Sequence, residues 1–263
     1  MPDFLESIVA ATHRRVAAAA SREPLAALRA RAEASRERRG FAAALAAPGV
    51  RVVAEIKRAS PSRGDIRAGL DPAATARAYE AGGAAALSVL TEPDFFRGSE
   101  NDLQAARAAT RLPVLRKDFI LAEYQVCETA AMGADALLLI VRLLSDAHLA
   151  QFHRLAADLG LDALVEVHDS RDAQRARRLG ARLVGINNRD LASFATDPGR
   201  ARRLAAAFDP ETILVAASGI ADGADIRRGV AAGLTRFLVG ETLVRAADPA
   251  ALLRQWIAEG AAP

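Results

Sequence analysis

VVAEIKRASPSRG, residues Val52 to Gly64, runs from an apolar segment into a loop rich in turn formers. Glu55 and Lys57 stand two apart, so in a strand their side chains share one face. That face continues inward through Val53, which places a carboxylate and an ammonium above an apolar layer. Such a placement is costly unless the charges pair with each other or with a ligand. A buried strand that ends in charge and then a tight loop is how a catalytic floor is built in parallel α/β proteins. Alone, a Glu-x-Lys at a strand end is more often a surface ion pair. The functional reading gains because the pattern recurs along the chain.

Outward from this stretch a rhythm extends to the C-terminal end. Strands are predicted at Val50–Lys57, Ala84–Leu90, Pro113–Lys117, Asp135–Val141, Asp162–Val167, Leu183–Asn187, Thr212–Ser218 and Arg236–Val239. Each precedes a helical pattern: Pro72–Ala81, Glu100–Thr110, Ala122–Met132, Ser145–Leu159, Ser170–Leu179, Pro198–Phe208, Gly223–Ala232 and Pro249–Glu259. Gly83, Gly133, Gly160, Gly180 and Gly233 stand where a glycine stops a helix at low steric cost. Alternation of this kind argues for a parallel sheet with crossover helices. Eight units within 263 residues argue for one closed (βα)8 TIM barrel. The competing topology, an open doubly wound sheet, lacks its G-x-G-x-x-G after the first strand.

Before the first strand, Phe4, Leu5, Ile8, Val9 and Val16 recur at helical spacing, and Pro24 opens a second helical segment. Phe41 to Leu45 reads as a short apolar turn. Residues 1–48 are therefore expected to form an N-terminal helical extension capping the barrel, and residues 49–263 the catalytic barrel. The chain is 51% hydrophobic, ample for a large core, and its formal net charge is only +3. Its arginines are spread along helical faces, which argues against a nucleic-acid footprint. One cysteine, Cys127, excludes an internal disulfide, and no apolar run is long enough to span a membrane. The four histidines have no metal-ligand spacing. These features predict a cytoplasmic protein without metal, membrane or nucleic-acid partner, monomeric or weakly homo-oligomeric.

The C-terminal strand ends of a barrel form its active face. This chain places there Glu55, Lys57 and Ser60 from the first strand, Lys117 from the third and Glu166 from the fifth, with His168 beside it. The sixth adds Asn187 and Arg189, the seventh Ser218 and Gly219, the eighth Gly240 and Glu241. Parity supports convergence: Val53–Glu55–Lys57, Leu115–Lys117, Leu164–Glu166 and Ala216–Ser218 each set a polar residue over an apolar or small one. Two carboxylates and two lysines in one cup should shift one another's pKa values and separate acid from base roles. Ser218-Gly219 and Gly240-Glu241 are read as helix openings after the last two strands, the usual barrel phosphate site. Singly each would be a tight turn; as a pair they favour a small phosphorylated substrate. Phe95, Phe96, Phe119, Leu138 and Leu191 are near the same rim and are expected either to line a flat pocket or to pack as core.

With these residues assembled, nearly the whole chain resembles the indole-3-glycerol-phosphate synthase family. The resemblance is carried by AEIKRASPSRGDI (54–66), SVLTEPDFFRGS (88–99), LRKDFI (115–120), EVH (166–168), GINNRDL (185–191), ASGI (217–220) and LVGETLVR (238–245). It implies a lyase without cofactor or metal that cyclises, decarboxylates and dehydrates 1-(2-carboxyphenylamino)-1-deoxyribulose 5-phosphate. By position, Lys117 resembles the general acid at the ketone oxygen, and Lys57 the ammonium that holds the aryl carboxylate. Glu166 resembles the carboxylate that stabilises the cationic intermediate or removes a proton. Glu55 resembles its acid–base partner, and Asn187 the residue orienting hydroxyls or a lysine. Ser60, Arg189, Ser218, Gly219, Gly240 and Glu241 match substrate-tail and phosphate positions; Phe96, Phe119, Leu138 and Leu191 match the wall around the anthranilate ring. One departure stands out: Ala217 occupies a position where the family commonly has Glu. It raises the alternative of a paralogous phosphate-binding barrel with altered substrate or reduced activity. An isomerase or aldolase working through a lysine Schiff base, and a barrel that binds without catalysis, are the other readings open from the residues.

Overall fold

The computed structural model describes residues 4–35, 37–61, 63–190 and 194–261. Among these, eight parallel strands close a barrel: β1 (Arg51–Ile56), β2 (Ala86–Leu90), β3 (Val114–Lys117), β4 (Ala136–Ile140), β5 (Asp162–Val167), β6 (Leu183–Asn187), β7 (Ile213–Ala217) and β8 (Arg236–Val239). Each strand neighbours the next in sequence, and β8 returns to β1 with Val53 opposite Leu238. The fold is the TIM-barrel type that the βα rhythm predicts.

Alternation along the strands divides two cores. One face of each strand (Val52, Ala54, Leu87, Val89, Val165, Val184 and Phe237 among them) packs on the outer helices. The other fills the barrel with Val53, Ala86, Leu115, Ala136, Leu138, Leu164, Val215 and Leu238. At strand seven the inward phase is Ile213–Val215–Ala217, whereas Ala216 packs outward. This corrects the expected Ala216–Ser218 parity, and its consequence is that Ala217 faces the interior.

The preceding segment embraces the barrel from end to end. Helix α1 (Phe4–Arg22) crosses the C-terminal rim, where Arg15 reaches Asp118. Helix α2 (Leu25–Ala34) descends along α7 (Glu123–Ala131). Phe41–Ala46 is a helix, α3, not the expected turn. Its Phe41 and Leu45 are fully buried in the barrel's interior cluster. The Ala42 amide donates to Asp162 (2.8 Å) and Arg236 Nε donates to the Leu45 carbonyl (2.9 Å), both at strand beginnings, so α3 plugs the N-terminal end.

Outside the barrel lie α4 (Pro72–Ala81), α5 (Pro93–Phe96), α6 (Glu100–Ala109), α7, α8 (Asp146–Asp158), α9 (Ser170–Leu179), α10 (Arg200–Ala205), α11 (Gly223–Ala231), α12 (Glu241–Arg245) and α13 (Pro249–Ala261). The short α5 was not legible as a helix, the helix opening read at Gly240-Glu241 is the single-turn α12, and α10 is shorter than its pattern suggests. Asp71, Ser99, Ser145, Asp169 and Asp222 cap their helices through side-chain oxygens. Among the described residues, no helix is long and apolar enough to cross a membrane, and no group of three or more His, Cys, Asp or Glu is arranged to hold a metal ion.

Candidate active site

The inward phase that is apolar at the strand beginnings turns polar at their ends, as Glu55, Ser88, Lys117, Glu166 and Asn187. Of these, Glu55, Lys117 and Asn187 floor a cavity of about 590 Å³ at the C-terminal mouth. Its wall includes Glu55, Lys57, Ser60, Phe96, Lys117, Phe119, Asn187, Arg189, Ser218, Gly219, Gly240 and Glu241, which the sequence predicted. Glu166 and Leu138, both 2% exposed, sit one layer below that wall. Leu191 lies outside the described residues.

Glu55 is the hub. Its Oε1 lies 2.8 Å from Lys57 Nζ, and its Oε2 is 3.9 Å from Lys117 Nζ and 3.4 Å from the donating Ser88 hydroxyl. Burial pushes the Glu55 carboxyl upward, but Lys57 and then Lys117 outweigh it and hold the group below the usual carboxylate range. Gly240 permits the arrangement: a β-carbon there would stand 2.5 Å from Glu55 Oε1.

Glu166 has a similar balance on the neighbouring side. Burial again raises its pKa, but His168, Lys117 and Asn187 together bring it down to about 2. Asn187 also fixes its own loop, its Oδ1 accepting from the Arg189 amide at 3.0 Å. The cup thus holds two buried, ionised carboxylates beside two lysines, with Lys117 acting on both carboxylates. Such a site can protonate an oxygen on one side and stabilise developing positive charge on the other.

The opposite rim comes from β7 and β8. Ser218 and Gly219 do not open a helix as expected; α11 starts at Gly223 behind its cap Asp222. Instead both residues are left-handed, with φ of 66° and 77°, and the Ser218 carbonyl accepts from Asn188 Nδ2 at 3.1 Å. Gly240 does precede a helix, the single-turn α12. The Glu241 carboxylate turns toward Arg63 (3.4 Å) and Arg245 (3.3 Å), which leaves its backbone as the part suited to an anion. Arg63 and Arg245 line the cavity and were missed from the sequence, although Arg63 ends the SPSR run and Arg245 stands four residues beyond Glu241. Ser88 was missed too; a hydroxyl amid the apolar ALSVL strand was the available signal. Ala217 lines the cavity beside Asn187, its register partner.

An ion network supports the rim from the N-terminal side. Asp118, adjacent to Lys117, accepts from Arg15, Thr91 and Arg116, while Glu92 accepts from the Phe95 and Phe96 amides. Arg15 is also 3.8 Å from Glu92, so α1 is tied to both aromatic-bearing loops.

Comparison with known proteins places the geometry in context. The family model for indole-3-glycerol phosphate synthase matches residues 5–256. A relative bearing that name from Desulfosudis oleivorans is 53% identical over 259 residues, covering 97% of this chain and 98% of its own. Relatives of the same name from Syntrophobacter fumaroxidans and Laribacter hongkongensis are 46% and 47% identical, each across 96% of this chain and 97% and 98% of their own lengths. Among solved structures, thiamine phosphate pyrophosphorylase from Pyrococcus furiosus superposes with a TM-score of 0.60 over 81% of this chain and 98% of its own. At 18% identity that likeness concerns the fold alone. The altered-substrate alternative raised by Ala217 finds no support in these relatives.

Proposed function

The chain belongs to the indole-3-glycerol phosphate synthase family and is a carboxy-lyase of tryptophan biosynthesis, and from that premise we propose how its cup divides the reaction. The substrate, 1-(2-carboxyphenylamino)-1-deoxyribulose 5-phosphate, must close a ring, lose carbon dioxide and lose water. Ring closure puts negative charge on the ketone oxygen, and Lys117 is the acid that protonates it. Lys57 holds the aryl carboxylate until it leaves. Glu55, within ion-pair distance of both ammonium groups, keeps them aimed. As the ring carbon attacks the ketone carbon, positive charge spreads over the anilino system, and Glu166 faces it and accepts the proton released in dehydration. Loss of carbon dioxide from the sp³ ring carbon restores the aromatic sextet.

Asn187 orients the substrate hydroxyls. Ser60, Arg189, Ser218, Gly219, Gly240 and Glu241 take the phosphate and tail, with Gly240 and Glu241 acting through the backbone. Phe96 and Phe119, with Leu138 behind them, enclose the anthranilate ring; Leu191 is assigned to the same wall by resemblance alone. In this reading residues 1–48 cap the barrel of 49–263, and the enzyme works in the cytoplasm as a monomer or weak homo-oligomer without a nucleic-acid partner.

The observation that carries the assignment is one carboxylate, Glu55, within ion-pair distance of both Lys57 and Lys117 on the cavity floor. Fluorescence of the indole product gives the test. Wild type should turn the substrate over, and Lys117→Ala should lower kcat by roughly 10²- to 10⁴-fold. Undiminished turnover in Lys117→Ala would reject this division of roles.

A further inference from the structure

Glu166 and His168 are two residues apart at the end of β5, so His168 continues the phase that carries Glu166 toward the cup. The His168 ring is wholly shielded from solvent. Its Nε2 is 3.3 Å from Glu166 Oε1 and its Nδ1 is 3.8 Å from Asp172 Oδ2. Both approaches fall short of ideal hydrogen-bond geometry, and the two buried ring nitrogens have no partner among the described residues besides these carboxylates. Groups left in that state are costly and rare in a folded core.

The ring is anchored from behind. Asp172, in the first turn of α9 and 3% exposed, accepts the His168 backbone amide at 3.2 Å. Arg142 Nε is 3.3 Å from the same carboxylate, and Arg142 also reaches Asp169 (3.2 Å) and Asp190 (3.5 Å). On the cup side, Lys117 and Asn187 act on Glu166 as well. The result is a row running outward from beneath the cavity floor: Glu166, His168 and Asp172, all buried, and then the partly exposed Arg142.

We propose that His168 is a positioning residue for the reaction, holding Glu166 ionised and aimed at the cup while Asp172 and Arg142 brace the imidazole from behind. This inference rests on the role given to Glu166 above. Its physical basis is the timing of charge. When Lys117 passes its proton to the ketone oxygen, one counter-charge to Glu166 disappears, and His168 and Asn187 still face the carboxylate. Without the imidazole, burial would favour the protonated acid, which can neither stabilise a cation nor accept a proton.

The test compares full-length wild type with His168→Leu, His168→Gln and Asp172→Asn. Glu166 is followed by carboxyl ¹³C NMR, its signal identified by loss in Glu166→Gln, and kcat is measured against pH. Glu166 should remain ionised in wild type to the acid limit of the fold. In His168→Leu its midpoint should rise by about one unit or more, the acid limb of kcat rising with it. His168→Gln, which restores an N–H donor, should move both back toward wild type. An unmoved midpoint in folded His168→Leu, or no recovery in His168→Gln, overturns the proposal. Should His168→Leu fail to fold, Asp172→Asn decides. Loss of a nearby negative charge would by itself lower the Glu166 midpoint, whereas loss of the brace behind the ring raises it; a fall or no change overturns the proposal. If the midpoint rises while Glu166→Gln still turns over substrate, the pairing stands and the role of Glu166 fails instead.

Discussion

Gly240 and Glu55 show how a single hydrogen atom can decide a site. The carboxylate sits against the glycine, where a methyl group would stand 2.5 Å from Oε1. Gly240→Ala should push Glu55 away from both lysines while leaving the barrel folded. Misplacement of that size is expected to lower kcat by about 10²-fold, measurable by steady-state kinetics beside an unchanged circular dichroism spectrum. Glu166 makes a prediction about stability. Its folded pKa, about 2, lies below the ordinary 4.5, so folding favours the ionised form. The stabilisation is complete above the ordinary value and fades as pH falls toward 2. Urea unfolding at about pH 6 and about pH 3 should therefore show a larger loss for wild type than for Glu166→Gln.

At the scale of elements, the tie between α1 and the β2 and β3 loops governs the rim. Asp118 is fully buried, and burial alone would raise its pKa, but Arg116 and Arg15 hold it below the usual range. Arg15→Ala removes one of those cations and the link to Glu92, leaving Asp118 with Arg116 and Thr91. A loss of about 1–3 kcal/mol is expected in urea unfolding, together with a raised KM and faster amide exchange around Phe119. Wild-type exchange and KM in this variant would detach α1 from substrate binding. The seventh strand shows where local reading stops. Ala216 and Ala217 are equally small and apolar, so alternation carries no signal of which one faces inward. Pairing of Asn187 with Ala217, and the outward packing of Ala216, settle it.

At the scale of the molecule, the extension is part of the barrel's core as well as its mouth. Phe41 fills the N-terminal end, far from the strand ends that carry the chemistry. Phe41→Ala should cost about 3–5 kcal/mol by thermal or urea unfolding, yet leave kcat near wild type at temperatures where the variant is folded. A small stability change would show that the plug contributes little. The sequence suggested only a cap, because Phe41–Ala46 is too short for its periodicity to announce a helix, and nothing local indicates that it tucks beneath strands more than a hundred residues away.

The chain's own order of residues determined the eight βα units, the strand ends that carry charge, and most of the cup's membership. Those follow from two-residue alternation, helix caps and stop signals, all of which act over a few neighbours. Tertiary structure alone decided the long-range meetings: Glu55 with Lys117, Glu241 with Arg63, and Asn187 beside an inward-facing Ala217. Barrel closure sets those distances by bringing together strand ends dozens of residues apart, and no short-range pattern encodes which side chains will then meet.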